Sequence, residues 1–295
     1  MDVLSHILTE AASGGPPSVA APGLIARRLT AVYRRWDQDE AIDLVAVARS
    51  LLDRLGDTDS SLACTCLRAA DAVACWGGHE FHSARHHAEV ATNTMLIAEL
   101  ARRLGQPISP HHGLLLLASA LAHDLYYDAP PGPSSPFRAE ARSAHALGEI
   151  AGRCGVLDED RQALNCLVLA TEPSFRQTLR SLMCGDCSCE ALPGLLTPMS
   201  VRPALVQLAC MLSDGDLLSS AGLTARWHDV QVARLERERG RRMDQKDNAE
   251  FLDRIVGPGF LSLGGRWFDT NLARIRARAA VRGVAKRPRD PQTLN

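Results

Sequence analysis

Three short stretches of the chain contain the residue types that bind divalent metal ions. The first reads FHSARHHAEV and places His82, His86 and His87 together in a chain with ten histidines. His82 and His86 are four positions apart, which is about one helical turn, so we expect them to share a face. Two adjacent side chains point about 100° apart on a helix, so at most one of His86 and His87 can bind a given metal. Taken alone, the cluster is equally compatible with a group of surface polar residues.

The apolar positions that follow this cluster indicate which adjacent histidine faces the core. Val90 and Ile97 lie in helical register with His86. We therefore expect His86 to face the interior and bind a metal. We expect His87 to lie behind the metal ligands, next to the substrate or on the surface.

The second stretch is His123-Asp124, which follows the apolar run LLLLASALA. The helix dipole disfavours a carboxylate at a C-terminal helix end, and burying it unpaired would cost several kcal/mol. A bound cation removes both problems, so the pair is a candidate set of metal ligands. The alternative is an ordinary exposed helix end that leads into the loop after Tyr126-Tyr127.

The third stretch, SDGDLL, offers two carboxylates as the last ligand. Leu208 and Leu212 belong to an apolar helical stripe whose next position is Asp216. Asp214 lies about 200° away around the helix axis. We therefore expect Asp216 to bind the metal, and Asp214 to support a ligand or to be exposed.

The rest of the sequence predicts helices that position these stretches. No alternation typical of strands and no internal repeat is found, so the predicted fold class is all-α. Ser109-Pro110 and Pro203 stand where helices begin, because proline loses nothing in a first turn. The predicted helices span residues 24–36, 40–55, about 60–75, 88–104, 111–126, 137–154, 159–171, 174–183, 201–220, 227–255 and 271–282.

Composition narrows the class of protein. The chain has 295 residues, is 46% hydrophobic and has a net charge of −1, which favours neither nucleic acid nor membrane as a partner. No apolar run is long enough for a membrane span, and the N-terminus lacks the basic region of a secretory signal. The nine cysteines are scattered and odd in number, so we expect reduced thiols in a cytoplasmic protein. Cys184, Cys187 and Cys189 contain one C-x-x-C spacing, but a structural zinc site needs four ligands.

The order of the three stretches resembles the HD-domain metal-dependent phosphohydrolase superfamily. The first resembles the Tyr-His-Asn-x-x-His signature of cyclic nucleotide phosphodiesterases, with Phe81 and Ser83 at the Tyr and Asn positions. The sequence HDLYYDA, followed by EARSA from Glu140, is similar to bacterial predicted HD phosphohydrolases. The resemblance covers about residues 76–225.

This resemblance implies a set of roles. His86, His123, Asp124 and Asp216 would bind one or two divalent ions among Mn, Fe, Co, Zn and Mg. Asp124 would bridge two metals in the phosphodiesterase branch, and His82 would be the general acid. Glu140 would orient a water or a ligand histidine, with an ordinary surface glutamate as the alternative.

The implied function is hydrolysis of a phosphodiester in a nucleotide or a similar small phosphorylated molecule. Two alternatives remain at this point. One is a phosphomonoesterase, or nucleotidase, that does not need His82. The other is a non-catalytic nucleotide-binding HD module with a regulatory role.

The expected domain organisation places an HD core between helical extensions. An N-terminal segment and linker occupies residues 1–23, and a helical extension occupies 24–75. The core spans 76–225, a C-terminal helical segment that covers one side of the site spans 226–284, and residues 285–295 form a disordered tail.

Overall fold

The computed structural model describes residues 21–38, 42–76, 78–127, 136–184 and 194–285. These ranges contain α-helices and short 3-10 or π turns but no strand, which confirms the all-α fold. Among the described helices, none has the combined length and apolarity needed to cross a bilayer. The helices are α1 (Ala21–Gln38), α2 (Leu44–Leu55), α3 (Ser61–Trp76), α4 (Ala84–Arg103), α5 (Pro110–Ala122), α6 (Arg138–Arg153), α7 (Asp158–Leu169), α8 (Arg176–Cys184), α9 (Pro198–Val201), α10 (Pro203–Ala221), α11 (Ala225–Arg239), α12 (Gln245–Glu250) and α13 (Asp269–Ala285).

Several predicted segments fall partly outside the described residues. The N-terminal segment and linker predicted for residues 1–23 overlaps α1, which begins at Ala21 and has Pro22 in its first turn at no cost in hydrogen bonding. Residues 1–20, 128–135 and 286–295 lie outside the described residues, and so do Cys187 and Cys189. The predicted N-terminal segment and most of the predicted disordered tail therefore fall there.

Helices α4 and α10 cross at the centre of the molecule and fix each other's register. Asn93 on α4 donates to the carbonyl of Gly215 at 3.1 Å and to the hydroxyl of Ser219 at 3.0 Å. The Tyr33 hydroxyl donates to Asn93 Oδ1 at 2.7 Å. A Cβ atom at Gly215 would lie 3.0 Å from Cα of Thr94, so only glycine permits this approach.

Helix α5 is the buried helix that the apolar run predicts. The Ser109 hydroxyl caps it by accepting the His112 N–H, and every residue from Gly113 to Ala122 is buried. The prediction that the helix continues to residue 126 is wrong, because it ends at Ala122 and Tyr126 adopts a φ of 61°. The metal-binding candidates therefore lie in the turn that follows the helix.

The single helix predicted for residues 227–255 is divided in two. Helix α11 ends at Arg239, where Gly240 takes a left-handed φ of 62°. Asp244 then caps α12 in a capping box with Asp247, and a π-helical turn follows at Phe251–Val256. The bend turns α12 and the π turn back, and residues of both α11 and the π turn line the cavity described below.

Asp214 ties the C-terminal segment to α10. Its carboxylate accepts the backbone N–H groups of Leu261 and Ser262 at 2.9 and 2.7 Å, and it pairs with Arg176 at 2.7 Å. The side chain is fully buried. The expectation that Asp214 supports a metal ligand or is exposed is therefore wrong: it faces the opposite side of α10 from Asp216 and bonds this segment instead.

Candidate metal centre

Three elements bring their ligand atoms together at one point. His86 lies in the first turn of α4, His123 and Asp124 follow the end of α5, and Asp216 lies in α10. His86 Nε2 lies 3.2 Å from His123 Nε2 and 3.3 Å from an Asp216 oxygen. An Asp124 oxygen lies 3.4 Å from His86 Nε2 and 3.0 Å from His123 Nε2. The four predicted ligands thus meet, although they are up to about 130 residues apart in the chain.

The hydrogen bonding of His123 prepares it as a ligand. Its Nδ1 lies 3.0 Å from the carbonyl of Ala120, which can only accept, so Nδ1 carries the proton. In the neutral ring Nε2 then presents a lone pair toward His86 and the two carboxylates. Ligand atoms of His86, His123 and Asp216 all lie within 4.8 Å of one another. Two imidazoles with two carboxylates fit Zn, Fe, Mn or Co.

Neighbouring charges shift the pKa values of the histidines and carboxylates in the cluster. Burial opposes charging of the ligand histidines, but hydrogen bonds to Asp124 and Asp216 outweigh it and raise the pKa of His86 to about 8. Burial likewise opposes ionisation of Asp124, yet the neighbouring His123 and His82 hold its pKa well below the ordinary value. The carboxylates therefore stay ionised and balance the charge of the protonated histidines in the metal-free protein.

His82 has a defined orientation beside the cluster. Its Nδ1 lies 2.5 Å from a carboxylate oxygen of Glu238, and its ring stacks on Tyr127 with centroids 3.6 Å apart. Its Nε2 lies 3.7 Å from Asp124. The ring thus presents one nitrogen to the cluster and uses the other as a donor to Glu238.

The prediction that His82 shares a helical face with His86 is wrong. Helix α4 begins only at Ala84, and Ser83 is extended with φ −128° and ψ 170°. The Glu238 carboxylate accepts the backbone N–H groups of Phe81 and His82 at 2.8 and 3.0 Å, which holds this segment outside the helix. The two histidines nevertheless meet, with ring centroids 5.7 Å apart.

His87 is buried rather than on the surface. Its ring lies 5.1 Å from the ring of His123, and neither ring nitrogen has a hydrogen-bond partner among the described residues. Burial, together with the charges of His123 and His86, holds its pKa well below the ordinary value. The surface alternative is excluded, and a supporting role behind the ligands stays a prediction.

A cavity of about 370 Å³ opens from the cluster, and Glu140 lines it. Glu140 is nearly buried in the first turn of α6. Burial raises its pKa to about 7, and the charges of Glu172 and Asp124 add to the shift. The ordinary surface alternative is therefore wrong for Glu140, while its role in orienting a water or a ligand stays a prediction.

The sequence reasoning missed two parts of this site. Glu238 lies in an Arg/Glu-rich helix, where nothing local distinguishes it from solvated neighbours. The apolar side of the cavity includes Phe251 and Ile255 of the π turn together with Leu235 and Met243. The only sequence-based indication of these residues was the prediction that a C-terminal helical segment covers one side of the site.

The comparisons with known proteins find similarity in the fold and none in the sequence at the level of family models or curated proteins. The chain matches no protein-family model and no curated protein. It is similar to the phosphodiesterase domain of the RhoPDE fusion protein from the choanoflagellate Salpingoeca rosetta, at 17% identity and a TM-score of 0.53, covering 94% of this chain and 99% of that one. A second structure, of the Salpingoeca rosetta rhodopsin phosphodiesterase domain, gives 19% identity and a TM-score of 0.54, with 95% and 96% covered.

A third solved structure extends the likeness to another phosphodiesterase. LmjPDEB1 in complex with IBMX shows 16% identity and a TM-score of 0.53, with 95% of this chain and 98% of that chain covered. The chain thus has the all-helical fold of phosphodiesterase domains. Membership of the HD superfamily stays a prediction, since no sequence family matches.

Proposed function

We propose that this protein is a metal-dependent phosphodiesterase that acts on a nucleotide or a similar small phosphorylated molecule. The observation that carries the proposal is the convergence of His86, His123, Asp124 and Asp216 beside an oriented His82, at one end of a cavity. The fold shared with phosphodiesterase domains supports it.

The four converging side chains would hold one or two divalent ions. Such an ion, when bound, supplies Lewis-acid activation of water and neutralises charge on the phosphate. The chain's own contribution is to keep both carboxylates ionised and to direct the lone pair of His123 inward through its bond to Ala120.

His82 supplies the proton that the leaving alkoxide requires. Its Nδ1–H donates to Glu238, so Nε2 is the atom that exchanges a proton inside the cavity. Burial opposes the charge on Glu238, but the bond to His82 lowers its pKa to about 2, so the carboxylate stays ionised at neutral pH. The ionised carboxylate also stabilises the ring's orientation, as does the stacked Tyr127.

This arrangement favours a diester over the two alternatives. A phosphomonoesterase can dispense with a general acid, and a regulatory binding module needs no oriented proton donor. Here Glu238 holds both the ring and the backbone of His82 beside Asp124. That placement suits protonation of a leaving alkoxide, which cleavage of an alkyl phosphodiester requires.

The cavity fits a small molecule with an anionic end and an apolar end. The metal ligands stand at one part of its wall, and Phe251, Ile255 and Leu235 supply apolar surface elsewhere. Its volume of about 370 Å³ lies within the ordinary range for small-molecule sites. A nucleotide presents both characters, with a phosphate and a flat base.

The test combines metal analysis with turnover of two ester classes. We expect the purified protein to bind a divalent ion and to hydrolyse a nitrophenyl phosphodiester faster than the monoester when Mn, Co, Mg or Zn is supplied. Asp124→Ala should lose both metal and turnover. His82→Asn should keep the metal and lose about 100-fold in turnover of an alkyl diester, which depends on the acid.

Each contrary result selects a different alternative. Preference for the monoester with His82→Asn fully active would establish a phosphomonoesterase. Bound metal and nucleotide with no hydrolysis of any ester would establish a binding module. Lack of metal binding in the wild-type protein would contradict the proposed metal site.

A further inference from the structure

Two cysteine thiols far apart in the chain lie in direct contact at the end of α6 that is remote from the cavity. Sγ of Cys64 lies 2.8 Å from Sγ of Cys154, and the residues are 90 positions apart. This Sγ–Sγ distance lies between the length of a disulfide bond, about 2.05 Å, and the separation of about 3.5–4.0 Å at which non-bonded carbon atoms pack. Both cysteines are free, and Cys64 is exposed to solvent.

The backbone on both sides of this contact is fixed. Cys64 lies in the first turn of α3, where its N–H donates to Ser60 at 2.9 Å. Cys154 follows the last turn of α6 and donates its N–H to Ile150 and Ala151, both at 3.1 Å. Neither thiol must leave its element to meet the other, so bond formation would require little loss of conformational freedom.

We propose that Cys64 and Cys154 are a redox modification site that closes to a reversible disulfide bond when a hydroperoxide oxidises the protein. The exposed sulfur of Cys64 attacks the peroxide and becomes a sulfenic acid, and the peroxide is reduced to water or an alcohol. The sulfur of Cys154 then attacks the sulfenic sulfur. The S–S bond forms, the S–O bond breaks, and the hydroxyl leaves with the Cys154 proton as water.

The bond would stabilise the fold without closing the cavity. It would cross-link α3 to the end of α6 and constrain a long loop in the unfolded chain. Glu140, the α6 residue that lines the cavity, lies about 20 Å along the helix from Cys154 by helical rise. We therefore expect a more stable protein with an unchanged cavity, and this inference does not depend on the proposed function.

The environment of Cys154 makes closure slower at neutral pH than at alkaline pH. Burial raises the pKa of the Cys154 thiol, and its contact with Cys64 adds to the shift, while Thr65 and the charge of Arg68 oppose it. Because the thiolate is the attacking species, the cross-link should form faster as the pH increases.

The experiment treats the full-length reduced protein with hydrogen peroxide and maps the thiols by peptide mass spectrometry. We expect a cross-linked peptide pair that joins Cys64 to Cys154, a mass loss of about 2 Da, and reversal by dithiothreitol. The Tm should increase by roughly 5–10 °C on oxidation. Cys75, exposed at the other end of α3, supplies the matched control.

The variants separate this pair from general oxidation. Cys64→Ser and Cys154→Ser should each abolish the cross-link and the Tm increase, while Cys75→Ser should retain both. Cys64→Ala provides a second substitution in case serine perturbs folding. Overoxidised Cys64 without a cross-link, or a dominant pairing with another cysteine, would overturn the proposal.

Discussion

At the scale of single residues, the site depends on how each side chain is held as much as on its type. His82 is fixed at three points: Glu238 at Nδ1, Tyr127 at the ring face, and its own backbone N–H bonded to the same carboxylate. His123 is fixed through Ala120. These contacts select one nitrogen of each ring for the cavity, which is the property that proton transfer and metal binding both require.

The role of Glu238 can be tested by a neutral replacement. We expect Glu238→Gln to reduce kcat about 10–100-fold for an alkyl diester while metal content stays unchanged, because the ring loses its ionised partner. The loss should be much smaller for a nitrophenyl diester, whose leaving group needs no proton. The matched control is Glu236→Gln on the same helix, since the Glu236 carboxylate accepts only the Met243 N–H among the described contacts. An equal loss for both leaving groups would contradict a role through His82.

The raised pKa of Glu140 predicts that the stability of the metal-free protein depends on pH. Burial raises its pKa from 4.5 to about 7, so between these values the folded state holds a proton that the unfolded state has released. The free energy of unfolding should therefore decrease as the pH increases through this window. Glu140→Gln should remove this dependence and stabilise the protein by about 2–3 kcal/mol at pH ~8, with no gain at pH ~4.

Urea unfolding at three pH values measures the effect. Glu149→Gln, at an exposed position of the same helix, serves as the control and should leave the pH dependence unchanged. A variant of Glu140 with the wild-type pH profile would show that the buried carboxyl is solvated in the metal-free protein.

At the scale of the elements, the crossing of α4 and α10 determines the distance between His86 and Asp216. Gly215 lies directly before Asp216, and its missing side chain lets α10 approach Thr94. Asn93 bonds across the same crossing to Gly215 and Ser219, which prevents the helices from sliding. This contact places the Asp216 carboxylate 3.3 Å from His86 Nε2.

A methyl group at this crossing should disturb both stability and the site. We expect Gly215→Ala to destabilise the protein by about 2–3 kcal/mol, because the added Cβ would lie 3.0 Å from Thr94 Cα. Metal affinity should decrease as well, since Asp216 moves with its neighbour. Denaturant unfolding and metal titration measure the two effects.

Gly148→Ala is the matched control for this substitution. Gly148 lies within α6, and its nearest neighbour to an added Cβ is Asn165 Oδ1 at 3.4 Å, an ordinary contact. The same change there should be neutral or stabilising by up to about 1 kcal/mol. Equal effects at both glycines would show that helix propensity, not the crossing, sets the cost.

At the scale of the whole molecule, α10 joins two functions on opposite faces. Asp216 faces the other candidate metal ligands, while Asp214 is enclosed by Arg176, Leu261 and Ser262. The C-terminal segment held in this way follows the π turn that lines the cavity, and α11 delivers Glu238. The segment beyond residue 225 therefore helps to complete the site, and the predicted boundary there stays a prediction.

Two isosteric substitutions distinguish the roles of the two faces of α10. Asp214→Asn should destabilise the fold by about 3–5 kcal/mol, because it leaves Arg176 buried without an ionised partner, and the folded fraction should still bind metal. Asp216→Asn should lose metal binding with a smaller loss of stability, since that side chain is 23% exposed. Thermal unfolding and metal content of both variants check the assignment, which a loss of metal binding in folded Asp214→Asn would contradict.

The sequence by itself determined the properties that local patterns carry. Helical periodicity predicted the all-α class, because the repeat of apolar positions depends only on neighbouring residues. The same periodicity selected Asp216 over Asp214 as the residue facing the other ligands. The apolar run before His123 placed this residue and Asp124 at the end of a buried helix, as the structure has them.

Only the tertiary structure decided which distant groups hold those residues in place. Glu238 reaches His82 across 156 residues, and this contact keeps His82 out of the helix that its spacing predicted. Asp214 binds a loop 47 and 48 residues away, which no helical pattern indicates. Such pairings depend on how helices pack, and packing is set by the combined shape and charge of many side chains rather than by any local repeat.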